Sequence, residues 1–222
     1  MNILAFSDIH GNIEAVKKLI IEVSKVEYDI IVFGGDFTNA WFDGPEEGQK
    51  QMNEIVSLIK FLNKPFFYIY GNRDIFVKCE YGKNIGEKDW DIGKYVLTNK
   101  IKDLDKSKIL ITHSLDDRLK NEQANALLYL YGHDHIGRVY KNYIDLGFLY
   151  RGTKAHGAAQ SLFGCYWFIK IEDDQIIPVN HSWQLKESKC PIHKNQGIFY
   201  IPYYWRKPCP LCYEEEKNRL YF

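Results

Sequence analysis

Residues 1–11, MNILAFSDIHG, and 28–36, YDIIVFGGD, decide how this chain reads. Asn2–Phe6 is a short apolar run that stops at Ser7-Asp8, and Tyr28–Phe33 is a second that stops at Gly34-Gly35-Asp36. Between them Ile13, Val16, Leu19, Ile20 and Val23 recur at helical spacing, with Asn12 placed as an N-cap. Strand, helix and strand in this order make a βαβ unit with a right-handed crossover. Both strands end on a carboxylate.

The pattern continues outward. Glu46–Leu62 carries Ile55, Val56, Leu58, Ile59 and Leu62 on one side and predicts a helix. Pro65–Tyr70 predicts a strand that runs into Gly71-Asn72-Arg73-Asp74. Residues 75–107 are mixed and polar, anchored by Trp90 and Tyr95. Lys108–Thr112 predicts a strand ending at His113, Asn121–Leu128 a helix, and Tyr129–Tyr131 a strand ending at Gly132-His133-Asp134-His135. Strand-like pieces follow at Arg138–Tyr140, Tyr143–Leu146, Tyr166–Ile171 and Gln175–Val179, the last two joined by a Glu172-Asp173-Asp174 hairpin turn. Near residue 181 the composition changes, which divides the chain into a domain over 1–180 and a C-terminal segment over 181–222.

Lys plus Arg and Asp plus Glu each number 29, so no overall field favours nucleic acid or a membrane surface. Any anion must be bound by a local site. The chain shows no export signal and no apolar stretch of spanning length, and the expected compartment is the cytoplasm. Five cysteines without an export signal argue against a disulfide framework.

In open α/β sheets ligands bind beyond the carboxyl ends of the strands. Asp8, His10, Asp36, Asn72, His113, His133 and His135 all fall at such ends. Carboxylates and an amide oxygen suit manganese or iron, and imidazoles widen the choice to zinc, nickel or cobalt. Two divalent cations against the two carboxylates Asp8 and Asp36 leave positive charge over, which favours a phosphate anion. A simple turn role for Asp36 or Asn72 stays open for each residue taken alone.

Asp8-x-His10, Gly35-Asp36, Gly71-Asn72-x-Asp74, the strand-end His113 and Gly132-His133-x-His135 together resemble, in order, the calcineurin-like metallophosphoesterases, over roughly residues 1–150. The resemblance implies a four-layer αββα sandwich, two mixed sheets flanked by helices. It implies that Asp8, His10, Asp36 and His135 hold one metal and Asp36, Asn72, His113 and His133 the other, with Asp36 shared. Water activated by the pair would attack phosphorus in line while Arg73 neutralises phosphoryl oxygens. Asp74 would orient Asn72 or pair with Arg73. Many members carry His where Arg73 stands; a guanidinium is a poor general acid but a good bidentate clamp. The expected substrate is therefore a phosphorylated small molecule with a good leaving group, a phosphodiester or a pyrophosphate. A nuclease and a non-catalytic binding scaffold of the same fold are the rival readings. For His156 and His181 a surface role is preferred to contact with substrate.

Cys190-Pro-Ile-His193 and Cys209-Pro-Leu-Cys212 are paired knuckles of the kind that hold tetrahedral zinc. With four protein ligands such a site is closed and structural, and it would supply folding energy to a segment with little core. Unpaired thiols beside a surface His are the plainer alternative. Tyr203, Tyr204, Trp205, Arg206 and Lys207 between the knuckles are suited to stacking on bases, while Glu214–Glu216 oppose it; contact with a partner or a second copy is the other reading.

Overall fold

The computed structural model describes residues 1–115, 125–153, 160–202, 209, 211 and 212. The chain opens with β1 (Asn2–Phe6), α1 (Ile13–Val23), β2 (Ile30–Phe33), the one-turn α2 (Ala40–Asp43), α3 (Pro45–Lys60) and β3 (Phe66–Tyr68). Next come β4 (Lys83–Asn84), β5 (Trp90–Ile92), β6 (Tyr95–Thr98), β7 (Lys108–Ile111), β8 (Leu128–Tyr131), β9 (Gly137–Tyr140) and β10 (Tyr143–Leu146). The remaining strands are β11 (Tyr150–Arg151), β12 (Leu162–Phe163), β13 (Cys165–Glu172), β14 (Gln175–Ser182), β15 (Leu185–Ser188) and β16 (Ile198–Pro202).

Two mixed sheets result. The first runs β14-β13-β1-β2-β3-β4, parallel from β1 to β4 and antiparallel at β13 and β14. The second runs β15-β16-β9-β10-β8-β7-β6-β5, with a parallel centre from β6 to β10 through β7 and β8. Alternation along β1 and β2 assigns the faces. Leu4, Phe6, Ile31 and Phe33 meet the apolar sides of α1 and α3, whereas Ile3, Ala5, Ile30 and Val32 meet Ile109, Ile111, Leu128, Leu130 and Ile144 of the second sheet. Strands covered on both faces must be apolar at every position, which is why these runs lack a polar alternate. Each fully buried Leu, Ile or Phe contributes on the order of 1.5–3 kcal/mol.

Local signals account for the joints. Asn12 caps α1 by accepting the Ala15 amide at 2.8 Å. Asp173 and Asp174 take φ of 48° and 62°, the left-handed pair a two-residue hairpin turn requires, and Glu172 faces Gln175 across it.

One expectation needs correction. In the described part of the helix predicted over Asn121–Leu128, Asn125–Leu127 lead straight into β8 instead. The Leu127 amide donates to the Lys108 carbonyl and the Ala126 amide to the Tyr129 hydroxyl, each at 2.9 Å, so neither is available to a helical turn. The mixed stretch 75–107 holds β4, β5 and β6, which extend one edge of each sheet. Trp90 and Tyr95 anchor it against the core between the sheets. Past residue 181, β15 and β16 bond to each other and to β9, lengthening the second sheet. Among the described residues no helix is long and apolar enough to cross a membrane.

Candidate metal centre

The seven donors sit just past the ends of β1, β2, β3, β7 and β8, so the first sheet supplies Asp8, His10, Asp36 and Asn72 and the second His113, His133 and His135. Asp8, His10, Asp36, His133 and His135 all adopt left-handed backbone, with φ between 52° and 73°. Non-glycine residues seldom accept this, at roughly 1–3 kcal/mol each, unless neighbours over-determine it. Here they do. The amides of Asp8, Ile9 and His10 donate to the carbonyls of Gly35 and Asp36 at 2.9–3.1 Å, and Gly132 N donates to the His113 carbonyl at 2.9 Å. The motif glycines provide room, since a Cβ on Gly71 would strike Asp36 and one on Gly132 would strike Ser7 and Asp8.

Each carboxylate spends one oxygen on being held. Asp8 Oδ2 accepts from Ser7 Oγ at 2.5 Å and from the His133 amide at 3.2 Å, leaving Oδ1 toward His135 Nε2 at 3.1 Å and His10 Nε2 at 3.5 Å. Asp36 Oδ1 accepts the Arg73 amide at 2.7 Å, and its Oδ2 lies 3.3 Å from His113 Nε2. His113 Nδ1 lies 2.9 Å from the Gly34 carbonyl and donates there, so in the neutral ring Nε2 carries the inward lone pair. That lone pair faces Asn72 Oδ1 at 3.0 Å, and His133 Nδ1 faces the same oxygen at 3.0 Å. His10 Nε2 and His135 Nε2 stand 3.0 Å apart.

Lone pairs crowded this closely repel unless a proton or a cation lies among them. Burial by itself would lower His113, but its hydrogen bond to Asp36 and the charges of Asp8 and Asp36 push the ring up to about 9. Burial would likewise raise Asp8, yet hydrogen bonds from His10 and His135 hold it well below the usual carboxylate range. His135 is lowered, first by burial, with the charges of His10 and Arg151 acting the same way against Asp8. A divalent cation competes with these protons for the same atoms. Asp8, His10 and His135 form one candidate metal-binding group, and Asp8, Asp36 and His113 form a second. The donor set therefore fits two cations. Asp8 belongs to both groups, the shared place that the resemblance implies for Asp36.

Other residues support these donors. Ser7 steers Asp8. Asp74, buried, accepts the amides of Phe37, Thr38 and Gly71 at 2.9–3.1 Å and the Thr38 hydroxyl at 3.2 Å, tying the Asp36 loop to the Asn72 loop. On the Asn72 loop it holds the amide of Gly71, the residue before Asn72. The guanidinium of Arg73 lies over the Phe42 ring, 4.4 Å from its centroid. His181 stacks on Tyr166, away from the donors. His156, Tyr203–Lys207 and Glu214–Glu216 lie outside the described residues.

Asp145 on β10 is a buried carboxyl that ligates nothing; its Oδ1 accepts the Gly147 amide at 2.9 Å. Burial and the charge of Asp134 raise it well above the ordinary value. The folded chain thus binds this proton more tightly than the unfolded chain, so its stabilisation exists at acid pH and is lost as pH rises through the raised value. Asp145→Asn keeps an acceptor for Gly147 and removes the charge. Its melting temperature should gain on the wild type as pH rises above the ordinary carboxylate range, each kcal/mol reading as roughly 2–4 °C. Parallel melting curves across pH would refute this.

In the C-terminal segment the thiols of Cys190, Cys209 and Cys212 gather with His193 into a third candidate metal-binding group, all four ligand atoms within 4.8 Å of one another.

A model of the calcineurin-like phosphoesterase superfamily domain matches residues 1–173. Among solved structures, TT1561 of Thermus thermophilus is similar at 15% identity, covering 81% of this chain and 98% of that one, with a TM-score of 0.54. A novel archaeal phosphodiesterase is similar at 16% identity, covering 82% and 100%, with a TM-score of 0.52. A dimetal phosphatase from Danio rerio shares 8% identity over 82% and 96%, with a TM-score of 0.54. At these identities the likeness is one of fold. No curated protein matches.

Proposed function

Since the chain belongs to the calcineurin-like phosphoesterase superfamily, and so is a hydrolase acting on phosphoester bonds, we propose that it cleaves phosphodiester or pyrophosphate bonds of a small molecule with two divalent cations. Asp8, His10, Asp36, Asn72, His113, His133 and His135 would hold them. The observation that carries this reading is the His113 ring, whose Nδ1 is committed to Gly34 while its Nε2 is turned toward Asp36 and Asn72. When bound, the cations supply Lewis acidity to a water nucleophile and to the phosphoryl oxygens. The protein's own part is to fix the donors on strained, cross-tied loops, so that little reorganisation accompanies the reaction.

Arg73 sets the leaving-group preference. It keeps its proton near neutral pH, so no general acid stands at its position. Its amide holds Asp36 while its side chain rests on Phe42 at the rim, from where it can clamp phosphoryl oxygens. With manganese, bis-p-nitrophenyl phosphate should turn over at least about tenfold faster than an alkyl monoester, because the former's leaving group departs without protonation. Comparable rates on the two would overturn the assignment. Arg73→Ala should lower kcat/KM on the diester by roughly ten- to a hundredfold, the value of a charge-assisted hydrogen bond.

The seven converged donors support a hydrolase over a scaffold. Net neutrality supports a small molecule over nucleic acid.

A further inference from the structure

The cluster in the C-terminal segment has a geometry that hydrogen bonding cannot explain. The Sγ atoms of Cys190, Cys209 and Cys212 lie 3.7, 3.5 and 3.3 Å from His193 Nδ1. One ring nitrogen has either a lone pair or a hydrogen, enough for a single partner. The thiols are not oxidised either, for all three cysteines are free and Cys190 Sγ to Cys212 Sγ is 3.6 Å, against about 2.05 Å for a disulfide. Zinc offers the missing centre. Ligands at about 2.3 Å for sulfur and about 2.05 Å for nitrogen on a tetrahedron stand about 3.8 Å apart sulfur to sulfur and about 3.6 Å sulfur to nitrogen. The observed edges match. The His193 amide also donates to Cys190 Sγ at 3.1 Å, which favours that sulfur as a thiolate.

The position of the cluster is equally informative. Cys190 and Cys209 are buried with Phe199 and Ile201 of β16, and Ile136 and Cys212 pack against them. Ile136 directly follows His135, and β16 pairs with β9, the strand that the His133–His135 loop enters. Arg138 of β9 fastens the same junction, donating to the carbonyl and side-chain oxygens of Gln196 at 2.8 and 3.0 Å. A small apolar cluster is weak support for such a segment, and a closed metal site is a strong one.

We propose that Cys190, His193, Cys209 and Cys212 bind a structural zinc ion, separate from the catalytic pair, that clasps the C-terminal strands to β9 and through Ile136 fixes the position of His135. Binding releases the thiol protons to solvent. The site has no open position and takes no part in hydrolysis. Only the second half of the proposal rests on the two-cation reading of the active site.

The full-length protein should purify with zinc that a thiol-specific mercurial releases. Cobalt exchange should give the visible bands of a tetrahedral centre together with thiolate-to-metal charge transfer, which oxygen and imidazole donors cannot produce. Both should be lost in Cys212→Ser, restored in part by Cys212→His, and unaffected by Cys165→Ser. Absence of the thiolate signature in the wild type, its persistence in Cys212→Ser, or iron in place of zinc would overturn the site. For the clasp, manganese affinity should weaken about tenfold in Cys212→Ser and in Ile136→Ala, the second with its zinc retained. Unchanged manganese affinity in Ile136→Ala would overturn the clasp, even if Cys212→Ser failed to fold. A wild type that binds no manganese would sink the two-cation reading and the clasp together, and the cobalt spectrum would still decide the zinc site by itself.

Discussion

Asp8→Asn is expected to lower manganese-dependent hydrolysis of bis-p-nitrophenyl phosphate by roughly a thousandfold, the effect of several kcal/mol of lost metal binding and charge stabilisation. Asp8 lies in both metal-binding groups, and its inward Oδ1 faces His135 and His10. Asparagine retains the shape and an acceptor oxygen but not the charge. If its amide nitrogen takes the outward place, it presents a donor to Ser7 Oγ and the His133 amide, where Asp8 Oδ2 accepts from both. The variant should therefore lose catalytic metal, and its melting temperature recorded beside turnover separates that loss from any cost to the fold. Asp36→Asn is the informative comparison. The family resemblance implies that Asp36 is the shared ligand, whereas the geometry brings Asp8 into both groups. Counting bound manganese separates the two, because loss of a shared ligand should empty both sites and loss of a private one should leave one filled. Full occupancy and full turnover in Asp8→Asn would refute the two-cation reading.

How much of this was legible in the sequence depends on where each residue's partners lie. Strand ends and motif glycines are local, so Asp8, Asp36, Asn72, His113 and His135 could be placed before any coordinates, and the Asn12 cap and the Asp173-Asp174 turn likewise. The paired Cys/His knuckles were equally plain. What escaped was decided by distant contacts. Strands β4 and β5, two and three residues long, have no periodicity to read and exist because β3 and β6 stand beside them. The run from Ala126 to Leu130 is apolar enough for helix or strand, and pairing with β7 chooses the strand. Ile136 looks ordinary in the sequence because Cys190, Phe199, Ile201 and Cys209, against which it packs, come near it only in the fold.

Asp74→Ala should cost about 3 kcal/mol of stability, a fall of roughly 6–12 °C in Tm for a chain of this size. The buried amides of Phe37, Thr38 and Gly71 and the Thr38 hydroxyl would lose their acceptor, and alanine offers none. Part of the loss is recovered, because the carboxylate itself is unfavourable there: burial and the charge of Asp36 raise Asp74 to about 6. That is why the expected cost is well below the sum of several orphaned donors. The effect on function should exceed the effect on stability. Asp74 joins the turn carrying Asp36 to the turn carrying Asn72, and a displacement of about 1 Å at either donor is enough to cost about a hundredfold in rate. Asp74→Asn keeps one acceptor oxygen and should fall between the two. Thermal melts together with manganese titrations at a temperature where both variants are folded test the point. A destabilised Asp74→Ala that still bound manganese and turned over like the wild type would show that the two loops find their positions without it.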